Sequence, residues 1–521
     1  MAETKASFGV PEGCAKAPAF HPPNIEQLRK IAGDLGLELT DEELAAYREH
    51  MLDLEEEYGI LDELAEPTLP VKYPRTPGWR PKPEDNPFNG WYWRTDIQGA
   101  PSGKLAGKTL GIKDNTAVAG VPMMNGSRVL EGYMPEFDAT VVTRILDAGG
   151  RILGKTAVED LCVSGSSFTS SKMPVLNPYD ATLSTAGSSA GSGALVAGGQ
   201  IDMALGGDQG GSIRLPASWC GIVGLKPTWG LVPYTGISVI HPCIDHAGPM
   251  TRTVEDCALM LEVIAGYDDG LDPRQQPNIV VPEYSKLLNA DLAGMKVGVV
   301  KEGFDKCQST AVDSTIRSAM NYFKAAGASV EDVSIPMHIT GRNIAAPIIF
   351  EGCYETMVQG GAVAFGFPGF YPTTMQQATA RGIRTHLNDV SHTYKMVSLL
   401  GEYTKQRYNH IHYARAMNCA RLLRKAYDDA LANYDVLVMP TIQKLPQKLP
   451  PKGSSIKESI EKSLEMLSNT AQFDVTHHPA LSINAGFADG LPVGLMIVGK
   501  HFDETTVLKA AYGFEKKRDE K

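Results

Sequence analysis

No stretch of eighteen apolar residues occurs in the 521-residue chain, so no membrane-spanning helix is expected. The opening residues, MAETKASFGV, lack the basic region and apolar run of a secretory signal, and a soluble cytoplasmic protein is the expectation. Positive charge is also short. The chain has 49 Lys and Arg against 60 Asp and Glu, a formal net charge of −11. Phosphate backbones and anionic lipids are held by surplus Lys and Arg, so neither nucleic acid nor a membrane is an expected partner. The eight cysteines (Cys14, Cys162, Cys220, Cys243, Cys257, Cys307, Cys353 and Cys419) include no C-x-x-C pair. Without an export signal they read as free thiols rather than disulfides. The twelve histidines form no H-E-x-x-H and no Cys/His ladder, and neighbouring His477 and His478 cannot point the same way on a strand. These spacings give no reason to expect a metal or a cofactor.

What is present begins with two amphipathic helical patterns. Residues 1–22 read as a loose arm. Ile25, Leu28, Ile31, Ala32 and Leu35 then share one helical face behind the capping pair Asn24 and Gln27. Thr40 and Glu43 cap a second pattern of Leu44, Tyr47, Met51, Leu54, Tyr58 and Leu61. Two such helices must dock on the main body or on a second subunit. Seven prolines between Pro67 and Pro87 mark an extended linker. We place a first domain at 1–80 and a second at 81–521, with a smaller helical lobe at about 304–430.

Beyond the linker the pattern is α/β. Thr109–Lys113, Arg151–Gly154, Val297–Val300, Val436–Met439 and Val493–Val498 read as strands, with a helix around Val141–Leu146 that Gly149 and Gly150 end. The fold class implied is α/β, a mixed central sheet covered by helices.

Two short motifs invite misreading. Gly149 to Thr156 fits G-x-x-x-x-G-K-[ST], but a phosphate loop follows a strand and opens a helix, whereas Arg151-Ile152-Leu153 is itself strand-like. Gly187-Ser188-Ser189-Ala190-Gly191 fits G-x-S-x-G, which would make Ser189 an α/β-hydrolase nucleophile with a histidine such as His478. The preceding Ala181–Ala186 is a poor strand for such an elbow.

The densest run of special residues is 184–228, where two Gly/Ser loops follow one another. The second, Gly206-Gly207-Asp208-Gln209-Gly210-Gly211-Ser212, follows apolar Met203-Ala204-Leu205. A serine closing such a loop sits among backbone N–H groups able to stabilise an oxyanion. Read alone, that loop is also compatible with a plain glycine-rich turn.

The joint pattern resembles the amidase signature enzymes over roughly residues 90–510. Gly111-Ile112-Lys113-Asp114-Asn115, Ala186-Gly187-Ser188-Ser189-Ala190-Gly191-Ser192 and Gly210-Gly211-Ser212-Ile213-Arg214 match its blocks. Pro216, Gly221, Gly224, Lys226, Pro227 and Thr228 follow, and His478–Ser482 and Gly490–Gly494 match its closing strands. The stretch Gly-Gly-Asp-Gln-Gly-Gly-Ser and the N-terminal helical segment are similar to amidases linked to nitrile metabolism and to urethanases. Ala186 and Ala190 stand where glycine is commoner, which is tolerable unless either needs a positive φ.

The resemblance implies Ser212 as nucleophile, Ser188 as proton relay through a cis peptide bond to Gly187, and Lys113 as final base. It implies backbone donors to the oxyanion from Gln209, Gly210, Gly211 and Ser212, and an acyl pocket lined by Val163, Gly165 and Ser166. Asp208 and Arg214 read as braces of the loop, with Arg214 as an anchor for an acidic substrate the alternative. The implied reaction is metal-free and cofactor-free hydrolysis of small aliphatic or aromatic amides to acid and ammonia, by a homodimer assembled through residues 24–66. The other readings are carbamate hydrolysis, a non-catalytic binding protein and an amidotransferase subunit.

Overall fold

Capping chemistry shapes the first elements. In the computed structural model, which describes residues 20–305, 307–366 and 368–520, the helices Ile25–Leu35 and Asp41–Glu63 both open on reciprocal capping boxes, Asn24 with Gln27 and Thr40 with Glu43. Each box satisfies two otherwise orphaned N–H groups. Gly36 ends the first helix in the left-handed region at φ 74°. The two helices pack through Leu28, Ala32 and Leu44, with Ile25, Leu39 and Met51 alongside. Most of the arm read at 1–22, with Cys14, lies outside the described residues. The seven cysteines within them are free.

The chain divides into two compact units, Met1–Thr68 and Leu69–Lys521. In the second, eleven strands form one sheet: β1 (Trp91–Gln98), β2 (Thr109–Lys113), β3 (Arg151–Thr156), β4 (Met203–Asp208), β5 (Val223–Lys226), β6 (His246–Thr251), β7 (Lys296–Val300), β8 (Ser329–Val333), β9 (Val436–Pro440), β10 (Ala480–Ala488) and β11 (Leu491–Val498). Their spatial order is β1-β3-β2-β4-β6-β5-β10-β11-β9-β7-β8. The pairs β3–β2, β2–β4, β9–β7 and β7–β8 are parallel and the rest antiparallel, so the sheet is mixed.

All five expected strands are present, each within two residues of its sequence-based bounds. Others carry little strand signature. β6 reads His-Ala-Gly-Pro-Met-Thr and is wholly buried between β4 and β5. β8, Ser-Val-Glu-Asp-Val, is the exposed, charged edge, as suits a strand with no outer partner. It lies within residues 304–430, which otherwise fold mainly as the helices Thr310–Ala325, Met337–Cys353, Thr373–His386, His392–Tyr408 and Ile411–Leu431.

Helices cover the sheet. Ile112, Leu205 and Leu225 from central strands join Ile145, Leu261 and Phe514 from helices in one core cluster. No helix among the described residues is long and apolar enough to cross a membrane. The topology matters most at β2 and β4. They are parallel neighbours with Ile112 beside Leu205, so Lys113 and the loop after Asp208 emerge at the same edge. In open α/β sheets, sites form at such carboxyl ends.

Candidate active site

Lys113 ends β2 with no solvent exposure. Its Nζ donates to the Ser188 hydroxyl at 2.9 Å and to the Gly207 carbonyl at 3.0 Å. Burial pushes its pKa down, opposed mainly by Cys162, Asp208 and Asp245. A buried ammonium without a paired carboxylate is costly, so burial makes this amine easier to deprotonate than an exposed lysine.

Ser188 follows a cis peptide bond from Gly187. Gly187 cannot carry a side chain, because a Cβ there would lie 2.0 Å from the Ser166 carbonyl oxygen. Its N–H donates to Gly165 O at 2.8 Å, and Gly165 N–H donates to Ser463 O at 2.8 Å. Ser166 Oγ donates to buried Glu159. Gly165 and Ser166 thus brace the segment that carries Ser188. Val163, half-buried, packs against the cluster of Leu161, Cys162, Ile240 and Tyr354.

Ser212 lies one residue past the left-handed Gly211 (φ 140°), where a Cβ would sit 2.5 Å from Thr470 Oγ1. Its backbone carbonyl accepts from Ser189 N–H at 3.3 Å, which ties the two loops together. Among the described residues, no acceptor of the chain takes the backbone N–H of Gln209, Gly210, Gly211 or Ser212. Unpaired buried backbone donors are rare and suit an anionic guest.

Beneath this loop Asp208 accepts from the backbone N–H of Ile213 and from Arg214 Nε and Nη2. Arg214 Nη2 also donates to Asp474 at 2.8 Å and Nη1 to Thr470 O at 2.9 Å. Burial alone would raise the Asp208 pKa, but the Arg214 charge and hydrogen bonds hold it below the usual carboxylate range. Every guanidinium nitrogen is committed and none is exposed, so Arg214 ties the loop to Asp474 and Thr470.

The Amidase family model matches residues 92–508. The chain belongs to the amidase signature family. This amidase is 45% identical to an enantioselective amidase of Rhodococcus rhodochrous, over 94% of this chain and 95% of that one. It is 37% identical to a subunit of the glutamyl-tRNA(Gln) amidotransferase of Methanosarcina acetivorans, over 82% and 87% of the two chains. The solved peptide amidase of Stenotrophomonas maltophilia matches with a TM-score of 0.67 and 30% identity, covering 80% of this chain and 83% of that one.

Both misleading motifs dissolve in the structure. Lys155 of the phosphate-loop pattern is buried on β3 with Nζ 3.0 Å from Asp114 Oδ1. Ser189 is fully buried, its hydroxyl donating to Gly207 O and accepting from Gly207 N–H, both at 3.2 Å. His478 turns its ring nitrogens to Thr476 and Asp428.

Sequence reasoning missed several neighbours of the site. Cys162 lies against the Lys113–Ser188 pair and donates its thiol to Asn125 Oδ1 at 3.2 Å. Burial pushes that thiol pKa up, so Cys162 stays protonated. Gln209 Nε2 donates to Tyr234 OH at 2.8 Å. Tyr234 opens onto a pocket with Ile237, Asp245, Phe370 and Met375 among its walls, though Lys113, Ser188 and Ser212 do not line it. Neither Cys162 nor Tyr234 had a motif to mark it.

Arg214→Met keeps the volume but strands two buried carboxylates, and is expected to cost about 3–5 kcal/mol, read from urea unfolding. Ala186 sits at φ 57°, so the conformation in doubt there is indeed left-handed, whereas Ala190 merely opens the helix Ala190–Ala197. Ala186→Gly relieves roughly 1–2 kcal/mol of left-handed strain against about 0.5–1 kcal/mol of glycine entropy. Loss of the buried Ala186 methyl, packed among Leu215, Trp219 and Met466, offsets about 0.8 kcal/mol of this, so the expected net change in the same assay is under about 1 kcal/mol.

Proposed function

We propose that this amidase converts small aliphatic or aromatic amides to carboxylic acid and ammonia through an acyl-enzyme on Ser212, with Ser188 and Lys113 as the proton relay. The observation that carries the proposal is the buried Lys113 amine, hydrogen-bonded to Ser188 Oγ at 2.9 Å beside a loop of unclaimed N–H donors. Ser212 Oγ attacks the amide carbon. Its proton passes to Ser188, whose own proton moves to Lys113. Gln209, Gly210, Gly211 and Ser212 offer N–H groups to the oxyanion, each such donor typically worth about 3 kcal/mol of barrier. The relay then returns a proton to the leaving nitrogen, and ammonia departs. Water repeats the attack and frees the acid. On the acyl side, Val163 keeps the exposure a substrate contact needs, while Gly165 and Ser166 hold the backbone behind it.

The similarity to amidotransferase subunits favours a second reading, in which ammonia is handed to a partner. Purified full-length protein, with no second protein added, is offered acetamide, benzamide or ethyl carbamate, with hydroxylamine as a second acceptor. Free ammonia together with a hydroxamate is the expected result from an amide, and ethyl carbamate turnover would extend the range to carbamates. Release of ammonia from none of them would overturn the hydrolase reading in favour of the partnered one.

A homodimer accounts for the apolar residues the first unit leaves exposed. Ile31, Leu35, Tyr47, Tyr58 and Leu61 are each 47–69% accessible. Light scattering is expected to give twice the chain mass, and a concentration-independent monomer mass would exclude the dimer.

A further inference from the structure

Three side chains far apart in sequence converge at a point to which Lys113, Ser188 and Ser212 contribute no atom. Asp428 projects from the helix Ile411–Leu431, His478 precedes β10, and His501 lies in the turn between β11 and the helix Glu504–Asp519. His478 Nε2 is 3.0 Å from Asp428 Oδ1, and His501 Nδ1 is 3.7 Å from the same oxygen. One ligand atom from each residue falls within 4.8 Å of the other two. His478 is fully buried, His501 mostly so, and Asp428 half exposed, which leaves the cluster open on one side.

Thr476 decides what this cluster offers. Its carbonyl, which can only accept, lies 2.8 Å from His501 Nε2, so that nitrogen carries the ring hydrogen. His501 Nδ1 is therefore a bare lone pair, and it faces a carboxylate oxygen at a distance too long for a hydrogen bond. Two acceptors facing each other at 3.7 Å leave a place for a cation between them. The Thr476 hydroxyl, 3.0 Å from His478 Nδ1, can donate or accept. His478 can therefore turn its Nε2 lone pair to the same point without losing its partner. Simple hydrogen bonding accounts for the His478–Asp428 contact but leaves the His501–Asp428 approach unexplained.

We propose that Asp428 Oδ1, His478 Nε2 and His501 Nδ1 form a binding site for one divalent transition-metal ion of the zinc class. Bonds of about 2.0–2.2 Å at tetrahedral angles set ligand atoms about 3.4 Å apart, between the two separations found here. Thr476 supplies the outer partner to both rings, as metal-bound imidazoles require for orientation. Arg424 Nε, 3.6 Å from Asp428 Oδ2, holds the other carboxylate oxygen. Its positive charge weakens the site but leaves Oδ1 free. The fourth position faces solvent and takes water. The ion joins a helix to the sheet and stabilises that junction; it takes no part in amide cleavage.

The test uses untagged full-length protein, stripped with a chelator and titrated with Zn2+ by calorimetry, then with Co2+ by visible absorption. One ion per chain, a d–d band of a four- or five-coordinate site and a raised Tm are expected. Asp428→Asn and His501→Ala, at the more accessible ligands, are each expected to weaken binding 10- to 100-fold. His386→Ala, at a separate exposed histidine–carboxylate pair, is expected to bind as the parent does. Absence of one-to-one binding, or affinity unchanged in both ligand variants, would overturn the site.

Discussion

Ser212→Ala is expected to lower kcat for a primary amide by on the order of 10^5–10^6-fold, with little change in KM or in unfolding midpoint. The side chain lost is a single hydroxyl at a position 6% exposed, so nothing large is uncovered. The backbone donors around it remain, and what is left should be the residual catalysis of oriented N–H groups and substrate binding. Ser189→Ala separates this mechanism from the α/β-hydrolase alternative. That hydroxyl is spent on both backbone groups of Gly207. Its loss leaves a buried N–H unpaired, at about 1–3 kcal/mol of stability, while turnover falls far less than in Ser212→Ala. Hydroxylamine trapping in each variant gives a second readout: hydroxamate is expected from Ser189→Ala and not from Ser212→Ala.

Lys113→Ala is expected to reduce kcat/KM by about 10^4-fold or more, the upper range for a general base and larger where residues act as a unit. The relay works only while the amine is neutral. Burial lowers the Lys113 pKa, so the active form predominates above the depressed value and is lost as pH falls through it. The wild-type kcat/KM should therefore rise with pH along an acidic limb that disappears in Lys113→Ala. Lys113→Arg should not restore activity, because guanidinium stays charged at any working pH. A fully active Lys113→Ala would end the proposed mechanism, and His478→Ala then becomes the decisive variant. With Lys113 in the relay, His478→Ala retains catalysis, since both its ring nitrogens are turned to Thr476 and Asp428.

The chain announces its local chemistry well. Reciprocal capping residues wrote the starts of the first two helices, and runs such as Val297–Val300 and Val493–Val498 carry enough apolar density to be read as buried strands. Three serine, lysine and glycine blocks were also legible, because catalysis demands particular residue types in short spans where glycine must admit close backbone approach. β6 was not legible: Gly248 and Pro249 have no intrinsic strand preference, and only pairing with β4 and β5 makes that segment extended.

The same division runs through the function. Residue identity alone determined the family and its reaction class, and marked Lys113, Ser188 and Ser212 as candidates for the chemistry. Tertiary structure decided that Lys113 reaches Ser188 from the end of β2, that the Arg214 guanidinium is committed to Asp208, Asp474 and Thr470, and that Cys162 packs beside the Lys113–Ser188 pair. It also brought Asp428, His478 and His501 together, although the histidine spacings give no sign of a metal site. Motifs record what a few consecutive residues must be, whereas burial, proton affinity and ligand convergence depend on distant segments that meet only when the sheet and its helices have packed.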